Sequence, residues 1–366
     1  MANSNIRFRT AVTAAVLCIA LSLAVSCNKK STAQISLPEL MELIHADVFD
    51  STSVFFGDYS KYPSNISKLP VGVFCIGSPV NNLLSDLLTR DKFDNITGSG
   101  QLDDLSDMAG ENFVTFTIHK ESMDSIGGAE PLDMAVLHTL FLTGNEFFDN
   151  AQQTKIIVAG GEMDDVVTTD RIQKFLSMTN TGVKYISVAG ATAETIIDSL
   201  ENLPGSYAVA FLGETETIKS ERYAKHLANV AKERGFAKNV PVINQSISDT
   251  DASGIPMVDA ALIALLRNYR ISESSVPIKA IIVEPDLDDE QVSTLLSILN
   301  YYRSIISTGA NPYKSIIAED VIILNPNKCA ATKCYQTLRA DGNLALSITE
   351  QLVSRYSYPS GFNYAF

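Results

Sequence analysis

The sequence predicts an α/β protein of two lobes, each built on a mostly parallel sheet. Three observations carry this. Short β-branched runs alternate with longer amphipathic segments from about residue 70 onward. Most of those runs are apolar throughout rather than alternating, as strands buried on both faces are. Several end directly in glycine.

The strands expected are Val71–Ile76, Phe113–Ile118, Lys155–Ala159, Val183–Val188, Tyr207–Leu212, Val240–Ile243, Ile278–Val283 and Val321–Leu324. Between them helical spacing covers Asn81–Arg90, Pro131–Leu142, Asp170–Met178, Thr192–Leu200, Ile218–Arg234, Ile255–Arg267, Asp289–Ser307 and Lys328–Leu338. An earlier helical pattern spans Leu37–Phe49, with Leu40, Leu43, Ile44 and Val48 on one face. Strand and helix alternating this often argue parallel strands joined by right-handed crossovers.

The first 26 residues read differently. Arg7 and Arg9 are followed by an uncharged Ala/Val/Leu run from Thr10 to Ser26. The run is short for a membrane span, which needs about 20 apolar residues, and fits an export signal. It ends Leu23-Ala-Val-Ser-Cys27, which resembles the lipobox of bacterial lipoproteins. That resemblance implies cleavage before Cys27, lipidation of Cys27 and a polar tether up to residue 37. Asn28 is not the Asp that favours inner-membrane retention. The expected address is therefore the cell envelope, lipid-anchored, on the outer membrane facing the periplasm. The organisation expected is signal 1–26, lipidated Cys and tether 27–37, first lobe mainly 38–200 and second lobe mainly 201–366, with crossing segments.

The formal charge is −14, and losing Arg7 and Arg9 takes it to −16. A dispersed acidic surface argues against nucleic acid and against acidic lipid head groups. Trp is absent, which weighs mildly against polysaccharide capture, although 13 Tyr remain. Once Cys18 and Cys27 are set aside, Cys75, Cys329 and Cys334 are left. Cys75 reads as a buried thiol in a strand. On one helix Cys329 and Cys334 would stand roughly 140° apart, so a disulfide between them needs a loop or a helix end.

No Walker A pattern, dinucleotide fingerprint, Gly-x-Ser-x-Gly elbow or His-Glu-x-x-His motif occurs, and neither cofactor nor metal is expected. Asp249-x-Asp251-x-Ser253-Gly254 begins like a calcium loop, but its twelfth position is Ala260, so it reads as a polar turn. His45, His138 and His226 fall in helical segments and read as surface or packing residues. His119 ends the second strand and would face a cleft.

Ligands of open α/β sheets bind beyond the carboxyl ends of strands. The candidate ligand residues are therefore Gly77, Ser78, His119, Gly161, Glu162, Gly213, Glu214 and Glu284. The glycines allow close backbone approach. Ser78 offers a hydroxyl or a cap. Glu162 and Glu284 offer carboxylates to hydroxyls or an amine, or acid–base chemistry. Asp164, Asp165, Asp286, Asp288, Asp289 and Glu290 also follow strands, where the dipole of a following helix accounts for most of them.

The stretch Ser206-Tyr-Ala-Val-Ala-Phe-Leu-Gly213, the helix Glu221–Gly235 and then Val240-Pro-Val-Ile243 resemble the strand–Gly–helix–strand unit that opens the second lobe of type I periplasmic solute-binding proteins, the lipoproteins related to basic membrane proteins among them. The resemblance covers the architecture from about Pro70 onward. It implies two Rossmann-like lobes, a small polar ligand such as a nucleoside or sugar in the cleft, and an inner-membrane transporter as partner. It carries no family binding residue with it. A membrane-anchored solute-binding protein is thus the leading expectation. The alternatives are an α/β hydrolytic enzyme using strand-exit carboxylates, and a non-catalytic periplasmic scaffold.

Overall fold

A computed structural model describes residues 59–76, 80–118, 130–161, 164–247, 257–272, 276–306, 311–345 and 350–358, with 42, 44, 49 and 50 ahead of them. Cys27 and its signal, and the polar turn at 249–254, lie outside the described residues.

Two parallel sheets organise the chain. The first contains β1 (Val71–Ile76), β2 (Phe113–Ile118), β3 (Ile156–Gly161), β4 (Lys184–Ser187) and β9 (Val353–Tyr358) in the order β4-β3-β1-β2-β9. The second contains β5 (Ala208–Gly213), β6 (Val242–Ser246), β7 (Ile278–Val283) and β8 (Ile317–Leu324) in the order β6-β5-β7-β8. Every described strand pair in both sheets is parallel. The helices are α1 (Val80–Thr89), α2 (Pro131–Leu142), α3 (Val166–Thr179), α4 (Val188–Leu200), α5 (Thr215–Ser220), α6 (Arg222–Glu233), α7 (Val258–Ile271), α8 (Asp289–Ser304) and α9 (Pro326–Ala340). The expected fold class is the observed one.

The helix starts follow from sequence. Asp165 caps α3 by accepting from Thr168 N at 3.0 Å. Ser187 caps α4 through Gly190 N at 2.8 Å. Asp288 and Gln291 form a reciprocal capping box on α8. Asn325 caps α9, whose first residue is Pro326. Such caps satisfy donors that a helix start leaves open, each stabilising by about 1 kcal/mol.

Each sheet is buried on both faces. On the first, Phe74, Phe116, Ile157 and Ala159 meet α2 and α3, while Val71, Val73, Ile156 and Val158 meet α1 and α9. On the second, Ala208, Ala210 and Ile281 meet α7 and α8, while Val209, Phe211 and Ile282 meet α4 and α6. Burying one such side chain contributes about 1.5–3 kcal/mol, so strands apolar at every position are what this layering requires. Helix α2 is buried all round from Asp133 to Leu142. Within it His138 is wholly buried, stacked on Phe74 at 4.7 Å and edge-on to Phe116 at 4.4 Å. It is a packing residue, as its helical position suggested.

Two expectations change in detail. The single helix expected over Ile218–Arg234 is broken in two at Glu221, which sits in the left-handed region at φ 56°. Cys329 and Cys334 both lie on the continuous helix α9 and are buried free thiols, which settles against their pairing. No helix among the described residues is long and apolar enough to cross a membrane.

The chain crosses between the sheets twice. Helix α4 follows β4 of the first sheet yet packs on the face of β5 and β7. Helix α9 follows β8 of the second sheet and packs back on the first. The carboxyl ends of the two sheets are thereby brought to one cleft.

Candidate active site

In each sheet the strand order reverses at one place. The first sheet grows from β1 to β2 on one side and to β3 on the other. The second grows from β5 to β6 and then to β7. A crevice opens beyond such a reversal, because the helices on either side of it lie on opposite faces. Both crevices of this protein open into the same cavity, of about 370 Å³. Cys75, Gly160 and Gly161 line it from the β1/β3 reversal, and Glu214 and Glu284 from the β5/β7 reversal. Asp164, Arg222, Tyr223, Asp286, Asn82 and Asn327 also line it.

A chain of hydrogen bonds joins the two halves. Glu214 N donates to Glu284 Oε2 at 2.9 Å, and Thr217 Oγ1 donates to Glu284 Oε1 at 2.8 Å. Arg222 Nη2 donates to Thr217 Oγ1 at 3.2 Å, and Arg222 Nη1 donates to the carbonyl of Gly161 on the first sheet. Gly213 makes room for this. A Cβ there would meet the Phe211 ring and lie 2.5 Å from Glu284 Oε2, so a side chain would displace the ring, the carboxylate or both. Gly161 turns at φ 80°, a conformation glycine adopts freely, and presents its carbonyl to Arg222.

Behind the cavity wall stands a second polar group. Ser187 Oγ donates to Asp164 Oδ1, and Ala189 N donates to Asp164 Oδ2 at 2.6 Å. His226 Nε2 lies 3.1 Å from the Asp164 carbonyl oxygen and 3.8 Å from Oδ1. Ser, His and Asp therefore meet here, but Ser187 gives its proton to the carboxylate and caps α4. The set is not a nucleophile–base pair.

The electrostatics follow from burial. Desolvation raises the pKa of Glu284 above the ordinary carboxylate range, against the opposing pull of the Glu214 N–H, Thr217 and Arg222. Desolvation likewise raises Asp164, against His226, Ser187, the Ala189 N–H and Arg222. Burial, assisted by the charge of Asp164, pushes the Cys75 thiol up to about 12, so it is not a thiolate nucleophile at neutral pH.

Of the residues singled out from sequence, Gly161, Glu214 and Glu284 line the cavity and Gly213 lies directly under Glu284. Gly77, Ser78, His119 and Glu162 lie outside the described residues. Asp164, Arg222 and His226 were missed as site residues. The helix-dipole reading holds for Asp165 and Asp288 but not for Asp164, whose partners come from α4 and α6. A signal for the other two was present. Arg222, Tyr223, His226, Leu227 and Val230 form one buried stripe on α6, and a guanidinium and an imidazole on an apolar stripe require polar partners. Among the described residues no group of three or more His, Cys, Asp or Glu is placed to hold a metal ion.

No family model and no curated protein matches the chain. Solved structures do. A glutamate racemase isoform from Bacillus anthracis matches at 12% identity and TM-score 0.44, over 80% of this chain and 90% of its own. A glutamate racemase from Francisella tularensis subsp. tularensis, in complex with D-glutamate, matches at 15% identity and TM-score 0.42, over 80% and 88%. An aspartate racemase homologue from Pyrococcus horikoshii matches at 14% identity and TM-score 0.39, over 74% and 99%. These finds correct the leading expectation from sequence. The matched structures bear the names of racemases and not of solute-binding proteins, and the solute-binding reading is set aside. At such identities and scores the likeness carries over no residue, substrate or reaction.

Proposed function

We propose that this protein is an α/β enzyme that performs general acid–base chemistry on a small polar substrate held in the cleft between its two sheets. The observation that carries the reading is the convergence of two carboxyl groups with raised pKa, Asp164 buried and Glu284 half-buried, on one cavity, with Arg222 joining their sheets. A raised pKa favours the protonated form of a carboxyl group, the form that can donate a proton. Glu284 is the leading proton carrier. Its two oxygens are held by Glu214 N and Thr217, which fix its position at the cavity wall. Arg222 is the cation available to stabilise negative charge developing on a substrate. Asp164 is a positioning residue that ties the β3 exit to α4 and α6.

The test is turnover of a panel in which each member loses or gains a proton in its reaction: aryl esters, aryl phosphates, aryl glycosides, and small amino acids followed for α-proton exchange in D2O. Glu284→Gln is expected to lower kcat/KM for the active member about 10²–10⁴-fold and to remove the limb of the pH–rate profile that Glu284 governs. Equal turnover by Glu284→Gln across the pH range would refute the assignment.

We also infer that the enzyme is displayed on a lipid anchor through Cys27. The supports are the uncharged run before it and the polar tether after it. The intact mass of protein extracted from membranes should correspond to a chain starting at Cys27 plus two or three acyl chains. A soluble chain retaining residues 1–26 would exclude the anchor.

A further inference from the structure

The cavity carries four carboxyl groups, Asp164, Glu214, Glu284 and Asp286, against the single guanidinium of Arg222. Two of its five N–H groups already donate, to Gly161 O and to Thr217 Oγ1. Lys328, near the start of α9, directs its ammonium to Leu287 O at 2.9 Å. Glu214 stands exposed at the β5 exit as the residue preceding α5, yet its side chain makes no capping hydrogen bond and has no partner among the described residues. Asp286, past the β7 exit, receives only Asn325 Nδ2 at 3.2 Å. Beside them, Tyr223 is 8% exposed and lines the same cavity, and its hydroxyl has no hydrogen-bond partner among the described residues.

These three side chains occupy the second-sheet half of the cavity. Glu214 and Asp286 flank Glu284, since β5 and β7 are neighbours and Glu284 N donates to Leu212 O at 3.0 Å. All three can accept hydrogen bonds, and two carry negative charge without a cation to meet it. The Tyr223 hydroxyl, on the cavity lining, has a lone pair to offer a donor. An ammonium group answers each of these demands at once: it supplies three N–H donors and a positive charge. A phosphate or a polycarboxylate would meet repulsion from four carboxyl groups.

Building on the acid–base reading above, we propose that Glu214, Asp286 and Tyr223 recognise a protonated amine, so that the enzyme selects a small amine-bearing substrate while Glu284 is kept for proton transfer. Glu214 and Asp286 hold the ammonium from adjacent strand exits, and Tyr223 accepts its third N–H. Binding of the cation relieves the mutual repulsion of the carboxylates, so affinity falls with rising salt.

The experiment compares three probes of equal chain length and different charge on the full-length protein: 1,4-diaminobutane, 1,4-butanediol and succinate. Thermal shift and calorimetry are read at low and high salt. The diamine is expected to raise Tm saturably, and the diol and succinate are not. Glu214→Gln and Asp286→Asn should each weaken diamine binding about tenfold, as loss of one charge-assisted contact does. A control variant, Glu216→Gln, removes the same charge from an exposed position outside the cavity and should bind as the parent does.

An equal loss in the control variant would show binding to surface charge and overturn the proposal. Saturable stabilisation by succinate that depends on Arg222 would also overturn it. The two readings fail separately. Diamine binding at Glu214 and Asp286 with no turnover of any amine-bearing compound would leave this inference standing and remove the acid–base one. Glu284-dependent turnover of an anionic substrate lacking an amine would do the reverse.

Discussion

Buried charge is used in two opposite ways at the two ends of this molecule. At the amino-terminal end of the first sheet, Lys155 and Glu111 pair at 2.5 Å with side chains only 1% and 2% exposed. Lys155 Nζ also donates to Ser67 O and to Asn343 O, each at 2.8 Å, and Glu111 Oε1 accepts from Ala345 N at 2.6 Å. Every charge there has its complement. At the carboxyl end the same kinds of group surround a cavity, with carboxyls in excess of cations. A closed, neutral cluster fastens segments that are far apart in sequence. An open and unbalanced one waits for something that completes it.

The sharpest way to break the comparison is Lys155→Met. It leaves the Glu111 carboxylate buried and unpaired, and the loss expected is about 3–5 kcal/mol. Urea denaturation measures it, and a loss below about 1 kcal/mol would show that the lower cluster is not a structural fastener. At the upper end, Gly213→Ala should act through Glu284. Its Cβ meets both the Phe211 ring and, at 2.5 Å, Glu284 Oε2, so the carboxylate or the ring must shift and catalysis should fall. The stability cost expected is about 1–3 kcal/mol. Unchanged catalysis in Gly213→Ala would sever the glycine from the site.

Titration gives a smaller effect with a definite sign. His138 is buried neutral, and burial lowers its pKa to about 4 from 6.5. The unfolded chain therefore binds a proton that the folded chain refuses. Stability should fall as pH drops from about 6.5 to about 4, and His138→Gln should flatten that slope in a series of thermal melts. Asp86 has the opposite sign. Burial first, and the charge of Asp286 second, raise its pKa to about 6 from 3.8. The folded state holds this proton more tightly, so the stability it brings is full below about pH 4 and is lost as pH rises through about 6. Asp86→Asn should leave Tm unchanged near pH 4 and raise it above pH 6. The same Tm difference at both pH values would disconnect Asp86 from the acidic cleft.

Much of the fold was legible in the sequence because a strand covered on both faces must be apolar at every position. Val71–Ile76, Phe113–Ile118 and Ile278–Val283 were placed to the residue for that reason. Strand β9 was missed. Val353-Ser-Arg-Tyr-Ser-Tyr358 lies at the sheet edge and mixes polar with apolar residues, so it lacks the signal of a central strand. The break at Glu221 was missed because a non-glycine residue occupies the left-handed region there. The site was half legible. Strand exits are a property of order along the chain, and they gave Gly161, Gly213, Glu214 and Glu284. Arg222 and Tyr223, which reach the cleft, and His226 behind its wall come from the middle of a βαβ unit and are placed there only because α4 and α6 pack between the sheets. One-dimensional spacing does not report that placement.

The edge strand β9 also governs the order in which the molecule can form. It pairs with β2 across the longest sequence separation in either sheet, Phe113 opposite Val353. Until that last stretch has been made, the first sheet has four strands and β2 presents an unpaired edge, a template for another chain. Loop closure over such a distance comes late and slowly. A nascent chain halted before residue 353 is thus the aggregation-prone species, and a chaperone that shields β2 until synthesis ends would act on the form most in need of it.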